Sequence, residues 1–381
     1  MTIPTLVLVT SSFPIAADGS EAAGSFVADL AQELAKHVHV RVVAPGPQST
    51  REQWSERVEI YRFAAPSHPL STLRLWHPGD LQCIAQVLRA GQQATDQAVT
   101  GAQHIVALWG LPCGEWARRA ASRQGIAYSV WMLGSDVWSL GRIPLLRGAL
   151  RRVIQQARHA YADGYQLAAD AQKIGRTPVA FLPSTRRIDL RDPPPSREQP
   201  PYRLLFLGRW HPNKGVDLLL DALGLLGDED WQRIERVEIQ GGGSLEPLVR
   251  ERVAELQEQG RPVEAGRFLT KPEAEAAIAR ADWILIPSRI ESIPVVFSDA
   301  MKLGRPVLAT PVGDLPQLLR DGPTGMLADG IEADAFAAAI ERLLVAPDLA
   351  HLKPGIAEMR MRFSLEQIAT RLATRVLKEA R

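Results

Sequence analysis

Two hydrophobic rhythms alternate along the chain. TLVLVT, residues 5–10, is a continuous β-branched run that suits a strand buried on both faces, and SFVADLAQELAKH, 25–37, then spaces its apolar residues at helical intervals. VHVRVVAP is a second strand. The same order returns in HIVALWG, in a helix around CGEWARRAASRQG, and in AYSVWMLGSD, where an apolar run ends in Gly134, Ser135 and Asp136. Strands alternating with helices predict a parallel sheet covered on both sides.

RDPPPSREQPP, 191–201, interrupts the rhythm, because proline removes backbone donors and fixes φ. It reads as a linker. Beyond it the alternation restarts with YRLLFLG, the helix VDLLLDALGLL, VEIQGGG, the helix LEPLVRERVAELQEQG, a short strand near VEAGRF, the helix PEAEAAIARA, DWILIPS, a helix through SDAMKLG, PVLATPVG, and a last pair of helices. The expected fold class is α/β, two Rossmann-like domains facing across a cleft. The first takes residues 1–190 and the second 202–362. In such sheets ligands sit beyond the carboxyl ends of the strands.

A length of 381 residues suits two domains, and a net charge of +1 argues against a general nucleic-acid binder. Cys83 and Cys113 form no Cys-x-x-Cys or Cys/His cluster, so neither a disulfide framework nor a structural zinc is expected. A reducing cytoplasm fits. MTIPTLVLVTSSFP lacks a basic leader region and is too short to cross a bilayer, so it reads as a first strand.

Chemistry is first suggested by FLGRWHPNKGVDLLLDAL, 206–223. Arg209 and Lys214 stand in a polar turn between a strand's carboxyl end and a helix opening near Gly215, where cations and free N–H groups suit a phosphate or diphosphate. The plainer reading is a solvated basic turn. In IPSRIESIPVVFSDAMKLGRPV a loop acid, Glu291, precedes a helix carrying Asp299. With the helix starting near Pro294, the N–H groups of Val295 and Val296 point at the same anion, and both carboxylates are able to accept sugar hydroxyls. For either acid alone, an ordinary charge near a helix N-terminus is the competing reading.

GRWHPNKG followed by PSRIESIPVVFSDAMKLGRPV resembles the retaining GT-B glycosyltransferases of family 4, the glycosyl transferases group 1, in their GR-x(n)-KG loop and E-x7-E motif. The order of elements is similar across both domains. The resemblance implies transfer of a sugar from a nucleotide-diphosphate sugar, a UDP- or GDP-sugar, to a glycan, lipid-linked glycan or small-molecule acceptor, with retention and without metal or other cofactor. Arg209 and Lys214 would neutralise the leaving diphosphate, Glu291 would contact the donor sugar as the third catalytic residue, and Asp299 would bind the ribose. Gly24 matches the family's glycine-rich loop, and Gly243 a loop near the nucleotide. The resemblance also implies that a C-terminal helix, 363–381, crosses back to the first domain. Polysaccharide or cell-envelope biosynthesis is the expected setting.

Three departures from the family pattern stand out. The second motif acid is Asp rather than Glu, a frequent histidine is replaced by Leu133, and PSTRRID, 183–189, replaces an Asn-Gly turn. With Leu133 in that place, Ser135, Asp136 and Trp138 are the acceptor-side candidates. A non-catalytic nucleotide-sugar-binding subunit and a GT-B epimerase are the rival readings, and turnover separates the subunit, which would bind nucleotide without hydrolysing or transferring its sugar, from an enzyme.

Three other features have competing readings. Gly241, Gly242 and Gly243 fail the dinucleotide spacing, and Asp228, Glu229 and Asp230 read as an exposed turn rather than metal ligands. Residues 142–159 form a basic amphipathic segment, with Ile143, Leu146, Leu150, Val153 and Ala157 as its apolar stripe and Arg147, Arg151 and Arg158 off it. It is either a peripheral contact with an anionic membrane at the inner face or an ordinary domain helix. Trp131 and Trp138 read as core, with stacking on an acceptor sugar the alternative.

Overall fold

Continuous apolar runs become central strands wherever helices cover both sheet faces, and the structure, a computed structural model, places nearly every such run in a sheet. It describes residues 3–15, 21–66, 78–321, 323–345 and 349–379. Two units emerge, Met1–Arg187 with Leu365–Arg381, and Ile188–Ser364.

The first unit runs β1 (Thr5–Val9), α1 (Glu21–Leu34), β2 (His39–Gly46), β3 (Arg51–Ser55), β4 (Val58–Ala64), α2 (Pro78–Ala98), β5 (His104–Leu108), α3 (Cys113–Gln124), β6 (Ala127–Met132), α4 (Ser135–Trp138), α5 (Pro144–Gln156), β7 (His159–Ala162), α6 (Tyr165–Gly175) and β8 (Ala180–Phe181). Its sheet order is β3-β4-β2-β1-β5-β6-β7-β8. Among the described residues of this sheet only the β3–β4 pair is antiparallel. Leu6, Leu8 and Val42 face one core layer, which also holds Leu30, Ile368 and Leu372, while Val7, Val9 and Ile105 face the other.

The second unit runs β9 (Tyr202–Arg209), α7 (Val216–Gly224), α8 (Asp228–Trp231), β10 (Ile234–Gly242), α9 (Glu246–Glu258), β11 (Val263–Ala265), α10 (Lys271–Arg280), β12 (Trp283–Ile286), α11 (Val295–Lys302), β13 (Val307–Ala309), α12 (Leu315–Asp321), β14 (Gly325–Leu327), α13 (Ala333–Val345) and α14 (Leu349–Arg362). Its sheet is wholly parallel in the order β11-β10-β9-β12-β13-β14. The last helix, α15 (Leu365–Glu379), packs on α1 in the first unit.

The proline-rich stretch is stitched to the second unit by buried charged groups. Glu275 accepts the N–H groups of Asp189 and Leu190 at 2.9 Å each, Asp282 accepts that of Arg197 at 2.8 Å, and Arg305 donates to the Pro194 carbonyl. Proline has no N–H of its own, so the segment is held through its neighbours' amides and its own carbonyls.

Helix α5 differs from the expected stripe. Ile143 is an extended residue ahead of Pro144, which occupies the helix's first position, so Ile143 falls out of the helical face and is exposed. Leu150, Val153 and Ile154 form the buried face, and Leu145 is 81% exposed. Arg147 and Arg151 donate to the carbonyls of Gly141 (3.2 Å) and Ile174 (3.0 Å). Among the described residues no helix is long and apolar enough to cross a membrane.

Candidate active site

In the second unit the strand order reverses between β9 and β12. The loops leaving these strands therefore diverge, and a crevice opens at their carboxyl ends. The loop after β9 carries the basic motif, and the loop after β12 carries Glu291.

The basic loop is shaped locally. His211 Nδ1 accepts the Asn213 N–H at 3.2 Å, Pro212–Lys214 make one 3-10 turn, and Gly215 takes φ 68° before α7 begins. A Cβ at Gly215 would lie 1.8 Å from the Pro287 carbonyl oxygen, so only glycine lets the two loops approach this closely. The N–H groups of Arg289 and Ile290 then donate to the Asn213 carbonyl at 2.9 and 3.4 Å. The Arg289 guanidinium reaches the Pro212 carbonyl and Asp217, both at 2.8 Å.

The other side of the Glu291 loop rests on the turn after β13. Gly313 has φ 56°, a Cβ there would fall 2.2 Å from the Glu291 carbonyl oxygen, and the Asp314 N–H donates to the Ser292 carbonyl at 3.1 Å. Held from both sides, Glu291 forms an ion pair with Lys214, and the Ser288 hydroxyl donates to the same carboxylate oxygen at 3.3 Å. Lys214 and Glu291 are both partly buried, so their attraction is screened less than that of a surface pair. Arg209 is exposed at the end of β9 and forms no ion pair among the described residues. It is a cation available to an anion.

Helix α11 begins at Val295, with Pro294 extended just ahead of it. The N–H groups of Val295 and Val296 lie in the first turn, where a helix supplies no internal acceptor, and Val295 is exposed. Asp299 is in the second turn on the inward side. It is fully buried, with its carboxylate 3.1 Å from the Lys302 ammonium. Of the two motif acids, only Glu291 keeps exposed surface. Gly243 is exposed after β10, and that loop is tied to the basic loop by Trp210 N–H to Gly242 O (2.8 Å) and Leu245 N–H to Trp210 O (3.0 Å).

The first-unit candidates separate. Ser135 is exposed at the start of α4, and Leu133 is half-buried. Asp136 is buried, accepting N–H groups from Gly110 (2.5 Å), Gly134 (3.1 Å) and Val137 (3.1 Å). Burial pushes its pKa up, and these donors pull it only part of the way back. Asp136 thus ties the ends of β5 and β6 together. Trp138 packs on the core and gives its indole N–H to Asp170 at 3.2 Å, and Trp131 is buried with its indole N–H on the Leu182 carbonyl. Gly24 lies in the first turn of α1.

Sequence reading did not single out Arg289, Asp217 or Gly313. The turn PVGD after a strand carried a signal for Gly313, whereas nothing local announces that Arg289 spans to Asp217. Among the described residues no group of three His, Cys, Asp or Glu side chains is placed to hold a metal. The Asp228–Trp231 segment is a single helical turn whose Asp228 pairs with Arg261 at 2.6 Å.

Residues 201–345 match the family model described as Glycosyl transferases group 1. The chain is 28% identical over 372 residues, 90% of each protein, to the GDP-mannose-dependent alpha-(1-6)-phosphatidylinositol monomannoside mannosyltransferase of Mycolicibacterium smegmatis. It is 35% identical over 240 residues to a D-inositol 3-phosphate glycosyltransferase of Streptomyces bingchenggensis, covering 61% of this chain and 48% of that protein. Among solved structures, the sucrose-phosphate synthase of Thermosynechococcus elongatus aligns with a TM-score of 0.68 at 18% identity, covering 99% of this chain and 100% of that one. Anabaena HepE in complex with UDP aligns with a TM-score of 0.68 at 15% identity and the same coverage. The fold is GT-B.

Proposed function

We propose that this chain, whose residues 201–345 belong to the glycosyl transferases group 1, moves a sugar from a nucleotide-diphosphate sugar to an acceptor with retention at the anomeric carbon. The observation that carries the reading is the meeting of Lys214 with Glu291 at the β9–β12 switch point, next to an unpaired Arg209 and the amino end of α11. Arg209, Lys214 and the first-turn N–H groups of Val295 and Val296 supply preorganised positive potential where charge develops on the departing diphosphate. They take the part that a divalent cation plays elsewhere. Glu291, held between two loops, accepts hydroxyls of the donor sugar. Asp299 receives the ribose once Lys302 turns away from it, and Gly24 and Gly243 allow close backbone approach to the nucleotide. On the acceptor side, Ser135 offers the exposed hydroxyl, while Asp136 and Trp138 act by shaping the loop that carries it.

A UDP- or GDP-sugar is the donor class, in keeping with the mannosyltransferase relative and the UDP-bound neighbour. The acceptor is a glycan, a lipid-linked glycan or a small molecule. Contact with an anionic membrane surface is supported by Ile143 and Leu145, exposed beside Arg142 and Arg152.

Thermal-shift measurement with UDP, GDP, ADP and their sugar conjugates tests the reading, since a ligand bound only by the native state raises the melting temperature. One nucleotide series should raise it in the parent and leave Arg209→Ala unmoved. No response to any of them would sink the donor site. Release of nucleotide from the responding donor then separates an enzyme from a binding subunit.

A further inference from the structure

At the amino edge of the second sheet, remote from the crevice, lies a pocket of about 250 Å³. Pro193, Pro194 and Pro195 form one wall, Leu303 and Ile356 another, and Arg305 is part of its lining. Arg305 is only 2% exposed. Its Nη2 donates to the carbonyls of Ala279 (2.7 Å) and Pro194. A guanidinium has five N–H donors, and among the described residues those on Nε and Nη1 have no hydrogen-bond partner, the Nε being buried as well.

Among the described residues no carboxylate forms an ion pair with Arg305. Asp282, an acid whose charge acts on it, is already engaged by the Arg203 side chain at 2.9 and 3.0 Å. Glu198 at the pocket rim is taken by Lys353 at 2.6 Å, so the two cancel there. A buried cation bonded only to carbonyls is costly unless a counter-charge reaches it. The remaining lining is mostly apolar, and the volume lies just below the usual range for small-molecule sites.

We propose that this pocket binds a small oxyanion, a carboxylate or phosphate with an apolar body, through the unused donors of Arg305. The oxyanion supplies the acceptors that the guanidinium lacks, and the proline wall and Ile356 cover its apolar part. Because Arg305 also holds the Pro194 carbonyl, the ligand fixes the proline-rich segment against the domain. The site is separate from the donor loops and does not depend on their assignment.

The test is calorimetric titration of the full chain with inorganic phosphate and with hexanoate, each with and without saturating UDP. Saturable binding is expected that UDP does not displace, with hexanoate and phosphate competing. Arg305→Met should weaken it by about tenfold or more, as befits loss of a charge-assisted hydrogen bond, while Lys214→Ala leaves it unchanged. Ser196→Trp, which places a large side chain at a lining position and leaves the guanidinium in place, should also abolish it and decides the matter if Arg305→Met fails to fold. No binding to the parent chain, binding unaltered in Ser196→Trp, or loss in Lys214→Ala would each overturn the proposal, the last by assigning the anion to the donor loop.

Discussion

Lys214 and Glu291, 77 positions apart in sequence, meet as an ion pair because Gly215 and Pro287 bring their loops into backbone contact. The pair sits where two parallel strands part. Removing either partner should therefore change ligand binding more than folding. Lys214→Ala is expected to weaken binding of the preferred nucleotide diphosphate by about ten- to a hundredfold, the worth of one charge-assisted contact. Calorimetric titration measures this, and unaltered affinity would remove Lys214 from the site.

Gly215 is the narrowest point of the arrangement. Gly215→Ala forces a Cβ into the Pro287 carbonyl and imposes a left-handed backbone on an L-residue, at a cost of about 1–3 kcal/mol before the clash is relieved. The melting temperature should fall by several degrees, and the nucleotide-induced rise should shrink with it. A variant as stable and as responsive as the parent would show that the loops have room to spare.

Acid should loosen the second unit, where acids with depressed values lose their stabilisation, and not the first-unit loop at Asp136, whose raised value carries the opposite sign. Burial alone would raise the pKa of Asp282, but the Arg203 guanidinium and the N–H groups of Arg197 and Arg203 outweigh it and hold the carboxyl below the usual range. Exposed Glu273 is held at about 2 by Arg267 and by the N–H and hydroxyl of Thr270. Both are acids with depressed folded values. Their stabilisation is whole above the unfolded values, about 4 to 4.5, and is lost as pH falls through the folded ones. Melting temperature against pH should be flat from about 7 to 5 and then drop toward 2. Asp282→Asn should start lower and fall less steeply; a parallel curve would dismiss the clamp.

Asp136 has the opposite sign, since its folded value is raised. It favours the folded state less as pH rises from its unfolded value through its folded one, and its three backbone donors are what keep it in place.

Leu145 carries the membrane reading. Sedimentation with vesicles containing phosphatidylglycerol should pull down the parent chain, whereas Leu145→Glu should remain in the supernatant, with pure phosphatidylcholine vesicles retaining neither. Equal sedimentation of both proteins would leave α5 as an ordinary domain helix.

The strands were legible because a parallel sheet covered on both faces needs uninterrupted apolar runs, and VLVT, IVAL and WILI are such runs. The positions of Lys214 and Glu291 were legible as motifs, but their pairing depends on Gly215 and Gly313 at loop crossings that no local pattern encodes. Asp136 looked like a ligand-facing acid because it follows a strand end, yet its oxygens go to three backbone amides. Asp299 and Lys302 have the i, i+3 spacing of a helical pair. Only the packing of α11 reveals that this pair is buried. Glu275, Asp282 and Arg305 act on backbone many dozens of positions away, which is why a proline-rich stretch that reads as a free linker is a bound strap.

Helix α15 closes the core of the first unit with Leu365, Ile368 and Leu372 against α1, although the whole of the second unit intervenes in sequence. During synthesis the order of completion is therefore inverted. Ile188–Ser364 have every residue of their own core once Ser364 has left the ribosome, while the amino-terminal half, made first, must wait with an open flank for the last helix to arrive.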